Sequence, residues 1–345
     1  MPTQMLKIGL IGAGRIGRLH AEHLTSRIPC ADLLIVADAF ADAARQCAED
    51  FSIPFVTQDY RDVLAHPDVQ AIVICSPTDT HAHIIEEAAQ AGKHIFCEKP
   101  IALDIPSIDR ALSAVEQAGV KLQIGFNRRF DANFLRVRAA IEHGEIGEPY
   151  QIHIVSRDPA PPPIDYIRGS GGIFLDMTIH DFDMARFLIG SEVEEVFATG
   201  GVMIDPAIGE VGDVDTAIVT LRFSNGVMGT ISNCRRAVYG YDQRVEVLGS
   251  EGAINMGNAY PNTAIISNGR SICRDLPFHF FIERYSESFL AEMIAFVDAV
   301  LSDAPAPVTE YDGRAPVLMA LAAQKSLTER RSIRLSEIEH EQRRS

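Results

Sequence analysis

The chain has 345 residues, 47% of them hydrophobic and 23% charged, with a formal net charge of -16. That length exceeds one ordinary core and that balance is the balance of a packed protein, so two domains are expected and a disordered chain is excluded. The acidic surplus, without any Lys/Arg run, excludes nucleic acid as the expected partner.

No basic segment followed by an apolar run opens the sequence at 1–7, and no apolar stretch of about eighteen residues follows, so a cytoplasmic protein without a membrane span is expected. Six cysteines (Cys30, Cys47, Cys75, Cys97, Cys234, Cys273) occur without a CxxC pair. They indicate neither a zinc site nor a disulfide framework and read as small buried hydrophobes.

The first apolar run, 6–11, leads into Gly12-Ala13-Gly14-Arg15-Ile16-Gly17. Between a strand and a helix this is a dinucleotide cradle. Gly12 permits the tight turn, Gly14 lets the backbone approach a pyrophosphate, and Gly17 lets helix and strand pack closely. Arg15 and Ile16 open a helix whose free N–H groups face the phosphates. Asp38 closes the second run, 32–37, about twenty residues on, where a carboxylate accepts from ribose hydroxyls. Ala39 and Phe40 bring no cation for a 2'-phosphate, so NAD is expected over NADP.

Further runs at 71–75, 94–97 and 121–125 do not alternate, as befits strands buried on both faces, and helical spacing marks 84–91 and 107–118. Strand alternating with helix predicts an α/β doubly wound parallel sheet over residues 1–125. The loops Ser76-Pro77-Thr78-Asp79-Thr80-His81 and Glu98-Lys99-Pro100 leave its carboxyl edge. Ser76, Thr78, His81, Glu98 and Lys99 therefore join the cofactor candidates. His83, two positions after His81, points to another helix face, so no shared metal ion is expected.

From 126 the pattern changes. Helices at 131–143 and 174–189, strands at 194–202, 216–223, 227–233 and 244–248, and the hairpin turn Ser224-Asn225-Gly226 predict an α+β domain with an open, mainly antiparallel sheet over 126–345. Two late helical stretches, 287–301 and 314–324, leave one helix able to pack back on the first domain. The segment 158–172, with Pro159, Pro161, Pro162, Pro163 and Gly169-Ser170-Gly171-Gly172, has too many breakers for regular structure. It is expected to be an ordered loop that closes over a substrate.

On the 174–189 helix, Ile173, Met177, Met184, Phe187 and Leu188 make one apolar stripe, and Asp176 and His180 lie on it one turn apart. Charge on an apolar face is costly, which points to function. Oxidising an alcohol with NAD needs a base that titrates near neutrality. His180 suits that task, with Asp176 to orient it and Lys99 to donate to the reacting oxygen.

The glycine motif, Cys97-Glu98-Lys99-Pro100, Gly125-Phe126-Asn127-Arg128-Arg129-Phe130, Gly144-Glu145-Ile146-Gly147-Glu148-Pro149 and the Asp176/His180 helix together resemble the glucose-fructose oxidoreductase and inositol dehydrogenase family over nearly the whole chain. Ser156-Arg157-Asp158-Pro159 and Tyr239-Gly240-Tyr241-Asp242 are most similar to its bacterial inositol 2-dehydrogenase branch. The resemblance implies a catalytic group of Lys99, Asp176 and His180, with Arg128, Asp158 and Tyr241 lining a polyol pocket and Asn127 nearer the nicotinamide. It also implies a homotetramer built on the open sheet, and NAD-dependent oxidation of myo-inositol to its 2-keto form. Another inositol isomer or a pyranose sugar, an NAD-dependent glycosidase and a silent NAD or sugar sensor are the alternatives. Met177, followed by Thr178, stands where some inositol dehydrogenases carry a small hydroxyl residue, which leaves isomer preference open.

Overall fold

The computed structural model describes residues 5–342, so the expectation about the first residues lies largely outside it. The chain divides into two compact units. One takes the residues up to Asn127 together with Glu287–Val317, and the other takes Arg128–Ser286 and the residues from Leu318 onward. The helix Phe281–Leu301 is shared between them, and its backbone leaves helical values at Tyr285, beside the division.

The first unit is built on β1 (Leu6–Ile11), β2 (Ala31–Ala37), β3 (Phe55–Thr57), β4 (Ala71–Ile74), β5 (His94–Glu98) and β6 (Leu122–Gly125). They form one sheet in the order β3-β2-β1-β4-β5-β6, parallel throughout. Strand order reverses between β1 and β4, and there the carboxyl edge opens into the crevice that binds nucleotides in such sheets. Every residue of β4 and β6 is buried, which explains the unbroken apolar run of β4 and leaves Gln123 as the one polar side chain of β6. Leu290, Met293, Phe296 and Val297 of the late helix join the core formed by Leu6, Ile8, Leu10 and Phe96. β3, not among the strands expected from sequence, is a short edge strand with Phe55 and Val56 exposed, so no buried run marks it.

The second unit is built on β7 (Pro149–Arg157), β8 (Val193–Gly201), β9 (Thr216–Phe223), β10 (Met228–Cys234), β11 (Asp242–Gly249) and β12 (Ala253–Met256), with a late edge strand. β13 (Ile265–Ser267) and β14 (Ile272–Arg274) make a separate hairpin, and β15 (Ile333–Arg334) is that edge strand. The sheet order is β12-β11-β7-β10-β9-β8-β15. All pairings are antiparallel except that of β7 with β10. The strand β7 is absent from the sequence expectations although Ile152 and Ile154 alternate with polar neighbours as a one-face-buried strand requires.

Three local expectations change. Within 158–172, Ile164–Gly169 is a short helix, with Pro163 as its N-cap and Asp165 in its first turn, so the prolines start a helix instead of preventing one. Phe174–Thr178 is π-helical before the α-helix Ile179–Ile189, and Thr178 Oγ1 lies 3.2 Å from the carbonyl oxygen of Ile173, five residues back. Of the cysteines, Cys47 and Cys97 are buried, but Cys30, Cys75 and Cys234 are only partly so and Cys273 is exposed, because β14 belongs to a hairpin and not to the main sheet.

Candidate functional site

In the first unit the candidates gather at the carboxyl edge because parallel strands all end there. Gly12 follows β1 with φ +98°, and a Cβ at that position would lie 2.5 Å from the Cys75 backbone. At Gly17 a Cβ would come within 1.9 Å of the Gly12 carbonyl oxygen. Both glycines are thus required by the protein's own packing. Gly14 differs: a Cβ there would meet nothing within 4 Å, so packing alone does not demand glycine, whereas close approach of a pyrophosphate does.

Asp38 follows β2. Its Oδ2 accepts from Ala13 N–H at 2.7 Å and its Oδ1 from Phe40 N–H at 2.8 Å. One acceptor site braces the glycine turn and the other the loop after β2, and a carboxylate's remaining lone pairs are available to ribose hydroxyls. Arg15 is exposed and Ile16 half-buried on the first turn of the Arg15–Ser26 helix. Ser76 Oγ and Thr80 Oγ1 lie 2.6 Å apart, and Thr78 opens the helix Thr78–Gln90.

His81 is buried, its Nδ1 2.8 Å from the Pro100 carbonyl oxygen and its Nε2 2.8 Å from that of Ser76. Burial pushes this imidazole below its usual value although both carbonyls pull the other way. Both ring nitrogens face carbonyl oxygens, and the neutral ring has one N–H to donate, so His81 packs between the Ser76 loop and the Lys99-Pro100 loop and hydrogen-bonds one of them. His83 is exposed beside Glu87 at 3.0 Å. Glu98 ends β5 with Oε1 2.8 Å from His20 Nε2, and Lys99 follows with a cis bond to Pro100. Asn127, buried, donates to Ser288 Oγ at 3.4 Å.

In the second unit the topology explains the cluster. β7 and β10 run parallel, with Arg157 opposite Cys234, so both exit at the same end; the antiparallel β11 begins there with Asp242 opposite Arg157. The next residues off this row are Asp158, Arg235 and Tyr241. Charges facing Asp158 come from Asp176, Arg235, Arg128 and Asp181. Burial first, and the Asp176 carboxylate next, hold the Asp158 carboxyl up at about 6.

Asp176, on the π-helical turn, accepts from Tyr166 Oη at 2.9 Å and from Arg235 Nη1 at 3.1 Å. Burial above all, with the Asp176 charge, pushes the Tyr166 phenol up. His180 is partly exposed near the start of the next helix.

Arg128 is buried and donates to Asp181 Oδ1 at 2.6 Å and to Tyr241 Oη at 3.3 Å. Asp181 Oδ2 accepts from Asn233 Nδ2 at 2.7 Å, and Asn233 Oδ1 accepts from Thr178 Oγ1 at 2.7 Å. Thr178 to Tyr241 is therefore one buried hydrogen-bonded chain.

The second unit brings Arg128, Asp158, Asp176 and Tyr241 together and adds residues that sequence reasoning missed: Asp181, Asn233, Arg235 and Asp213. Asp213 accepts from Ile173 N–H at 3.0 Å and lies 3.6 Å from Arg235 Nη2. Their sequence signal was available in part, since Asp181 adjoins His180 and Asn233-Cys234-Arg235 ends an apolar strand with polar groups. In the first unit, the His20/Glu98/Glu292 cluster was likewise missed.

Residues 6–126 match the NAD-binding Rossmann-fold domain of an oxidoreductase family, and residues 134–255 match the GFO/IDH/MocA C-terminal domain. The chain is 48% identical over 333 residues to the myo-inositol 2-dehydrogenase of Thermotoga maritima, covering 96% of this chain and 99% of that one. It is 47% identical over 331 residues to the inositol 2-dehydrogenase of Rhizobium meliloti, with 96% and 99% covered. Among solved structures, the scyllo-inositol dehydrogenase of Lactobacillus casei with bound NAD(H) and scyllo-inositol superposes with a TM-score of 0.91 at 30% identity, over 96% of this chain and 100% of that chain. With the glycine cradle and both domains matched, this chain is an NAD-binding oxidoreductase and belongs to the GFO/IDH/MocA family.

Proposed function

We propose that the chain oxidises one secondary hydroxyl of a cyclic polyol, with myo-inositol as the substrate and its 2-keto form as the product. The observation that carries this reading is the polar row off β7, β10 and β11, where Asp158, Arg235 and Tyr241 join Asp176 and Arg128. A neutral polyol offers only hydroxyls, so its recognition needs many donors and acceptors; these side chains supply both.

NAD supplies the acceptor for the hydride that leaves carbon. His180 takes the hydroxyl proton, Asp176 orients it, and Lys99 donates to the oxygen on which charge develops. Arg15, Ile16, Ser76, Thr78, Glu98 and Asn127 are assigned to the cofactor with the glycines and Asp38; His81 acts on it through the loops between which it packs. The substrate contacts are assigned to Lys99, Arg128, Asp158, Asp176, His180 and Tyr241, with Arg128 and Tyr241 held by Asp181 and by each other.

The open sheet supports self-association. Its inward residues Ala217, Val219 and Leu221 are buried, while Phe197, Ile218 and Met228 stand exposed on the other side. We assign that face to a homotetramer, in a protein of the cytoplasm. Among the described residues no helix is long and apolar enough to cross a membrane.

The test is to give the purified protein NAD with myo-, scyllo- and chiro-inositol and several aldoses and to follow NADH. Accumulation with myo-inositol above the others supports the reading. Glycoside cleavage without net NADH would make it a glycosidase, and NAD binding without turnover of any polyol would make it a sensor.

A further inference from the structure

One group of titratable side chains in the first unit joins Glu98 to two residues that have no role assigned above. His20, on the helix that follows the glycine turn, Glu98, at the end of β5, and Glu292, on the late helix, offer ligand-type atoms within 4.8 Å of one another. His20 and Glu292 are wholly buried. The His20 ring is boxed by Phe96, Phe289 and His23, at centroid distances of 5.2, 6.0 and 6.4 Å, so its Nε2 is aimed at Glu98. Gly125 makes room for the Glu98 carboxylate: a Cβ there would lie 3.0 Å from Oε2.

Neither Glu292 carboxyl oxygen has a hydrogen-bond partner, and an ionised carboxylate in that state is too costly to bury. Burial first, and then the Glu98 charge, push the Glu292 carboxyl well above its ordinary value, so it holds a proton. The other titratable groups near Glu98 and Glu292 are Cys75 and Cys97, both pushed up by burial, and His81, which burial pushes down, so none of the three is a source of positive charge. A divalent ion does not suit the geometry. The 2.8 Å between His20 Nε2 and Glu98 Oε1 is a hydrogen-bond length, whereas two ligands about 2.0–2.1 Å from a tetrahedral ion stand roughly 3.3 Å apart.

We propose that His20 and Glu292 are positioning residues for Lys99: with Glu98 they form a clamp, His20 by its hydrogen bond to the carboxylate and Glu292 by facing it within 4.8 Å, that fixes the end of β5 and hence the direction in which Lys99 leaves it. The proposal rests on the reading of Lys99 as a functional residue. Its logic is that β5 alone fixes a backbone, whereas a carboxylate hydrogen-bonded from one helix and packed against a buried polar side chain of another also fixes the last peptide before the lysine.

The test compares Glu292→Gln, which imitates a neutral acid, with Glu292→Leu, which keeps bulk and removes polarity. At neutral pH the infrared spectrum of the wild type should show a protonated carboxyl band that Glu292→Gln lacks. Glu292→Leu should lower kcat about 10-fold or more with KM for NAD within about 3-fold, and Glu292→Gln should restore most of it. The rate at which an amine reagent labels Lys99, read by peptide mass spectrometry, should shift in the leucine variant and not in the glutamine one. If Glu292→Leu does not fold, His20→Gln takes its place with the same expectations.

Unchanged kcat and labelling in the leucine and His20 variants would overturn the proposal. So would equal damage by Gln and Leu without a carboxyl band, or one equivalent of divalent metal in the purified protein. Labelling does not depend on substrate: a wild type that oxidises no polyol while Lys99 still responds to Glu292 would refute the polyol reading and leave the clamp standing.

Discussion

Arg235 is buried and reaches Asp176 Oδ2 at 3.1 Å from Nη1, while its other amino group lies 3.6 Å from Asp213. The arginine thus holds the carboxylate assigned to orient His180, and it does so from the end of β10, where strand register fixes its backbone. Arg235→Met would leave two carboxylates near one another without their cation. The expected cost is about 3 kcal/mol of stability and a fall in kcat/KM beyond about 10-fold, with Arg235→Lys between the two because a lysine cannot serve both acids in the same geometry. Thermal melting and steady-state kinetics measure both; a methionine variant with native kcat/KM would mean that Asp176 needs no such support.

Tyr166 belongs to the short helix in the proline-rich segment, and its hydroxyl donates to the other oxygen of Asp176 at 2.9 Å. The aromatic body is exposed while the hydroxyl is spent on the carboxylate. Tyr166→Phe should therefore raise the KM for polyol by roughly 3–10-fold and leave NAD affinity unchanged, since one charge-assisted hydrogen bond is removed and nothing in the dinucleotide cradle is touched. If KM for polyol stayed at the wild-type value in the phenylalanine variant, the segment would have no part in substrate binding.

The parts of this molecule legible in its sequence are those where one face or both faces of an element are buried. Gly12 and Gly17 announce themselves because no other residue fits, β4 does so by an unbroken apolar run, and β1 and β6 by runs interrupted only at Lys7 and Gln123. The cluster around Asp158 was legible only in pieces. Its partners come from residues 128, 176, 181, 233, 235 and 241, and only the parallel pairing of β7 with β10 brings the strand ends together. The π-helical turn was not legible at all, because an i to i+5 turn keeps the same apolar residues inside and merely rotates the polar ones.

His180 is half open to solvent and sits beside the buried Asp181, whose charge is met by Arg128. Replacing His180 by Ala removes the assigned base without disturbing that pair. A loss of kcat of about 100-fold or more, with NAD affinity within about 2-fold, is expected. Wild-type turnover in His180→Ala would exclude it as the proton acceptor and turn attention to Asp158, the neighbouring carboxyl poised nearest neutrality.

Asp158 links stability to function. Its carboxyl is held up at about 6, by burial and then by Asp176, against an unfolded value of about 3.9. Between those values the folded chain binds more protons than the unfolded one, so this group favours folding fully below about pH 4 and that contribution is lost as the pH rises through 6. Above that pH an ionised Asp158 faces Asp176 at a cost of roughly 1–3 kcal/mol, only partly offset by Arg235 and Arg128. Asp158→Asn should therefore melt higher than the wild type at pH 7.5 and show little advantage at pH 4. The same variant should bind polyol more weakly at pH 7.5, because an amide presents a single acceptor oxygen where the carboxylate presents two. Equal melting points at both pH values would show that Asp158 is not strained by its surroundings, and a stabilised variant with native KM would show that the strain serves something other than the substrate.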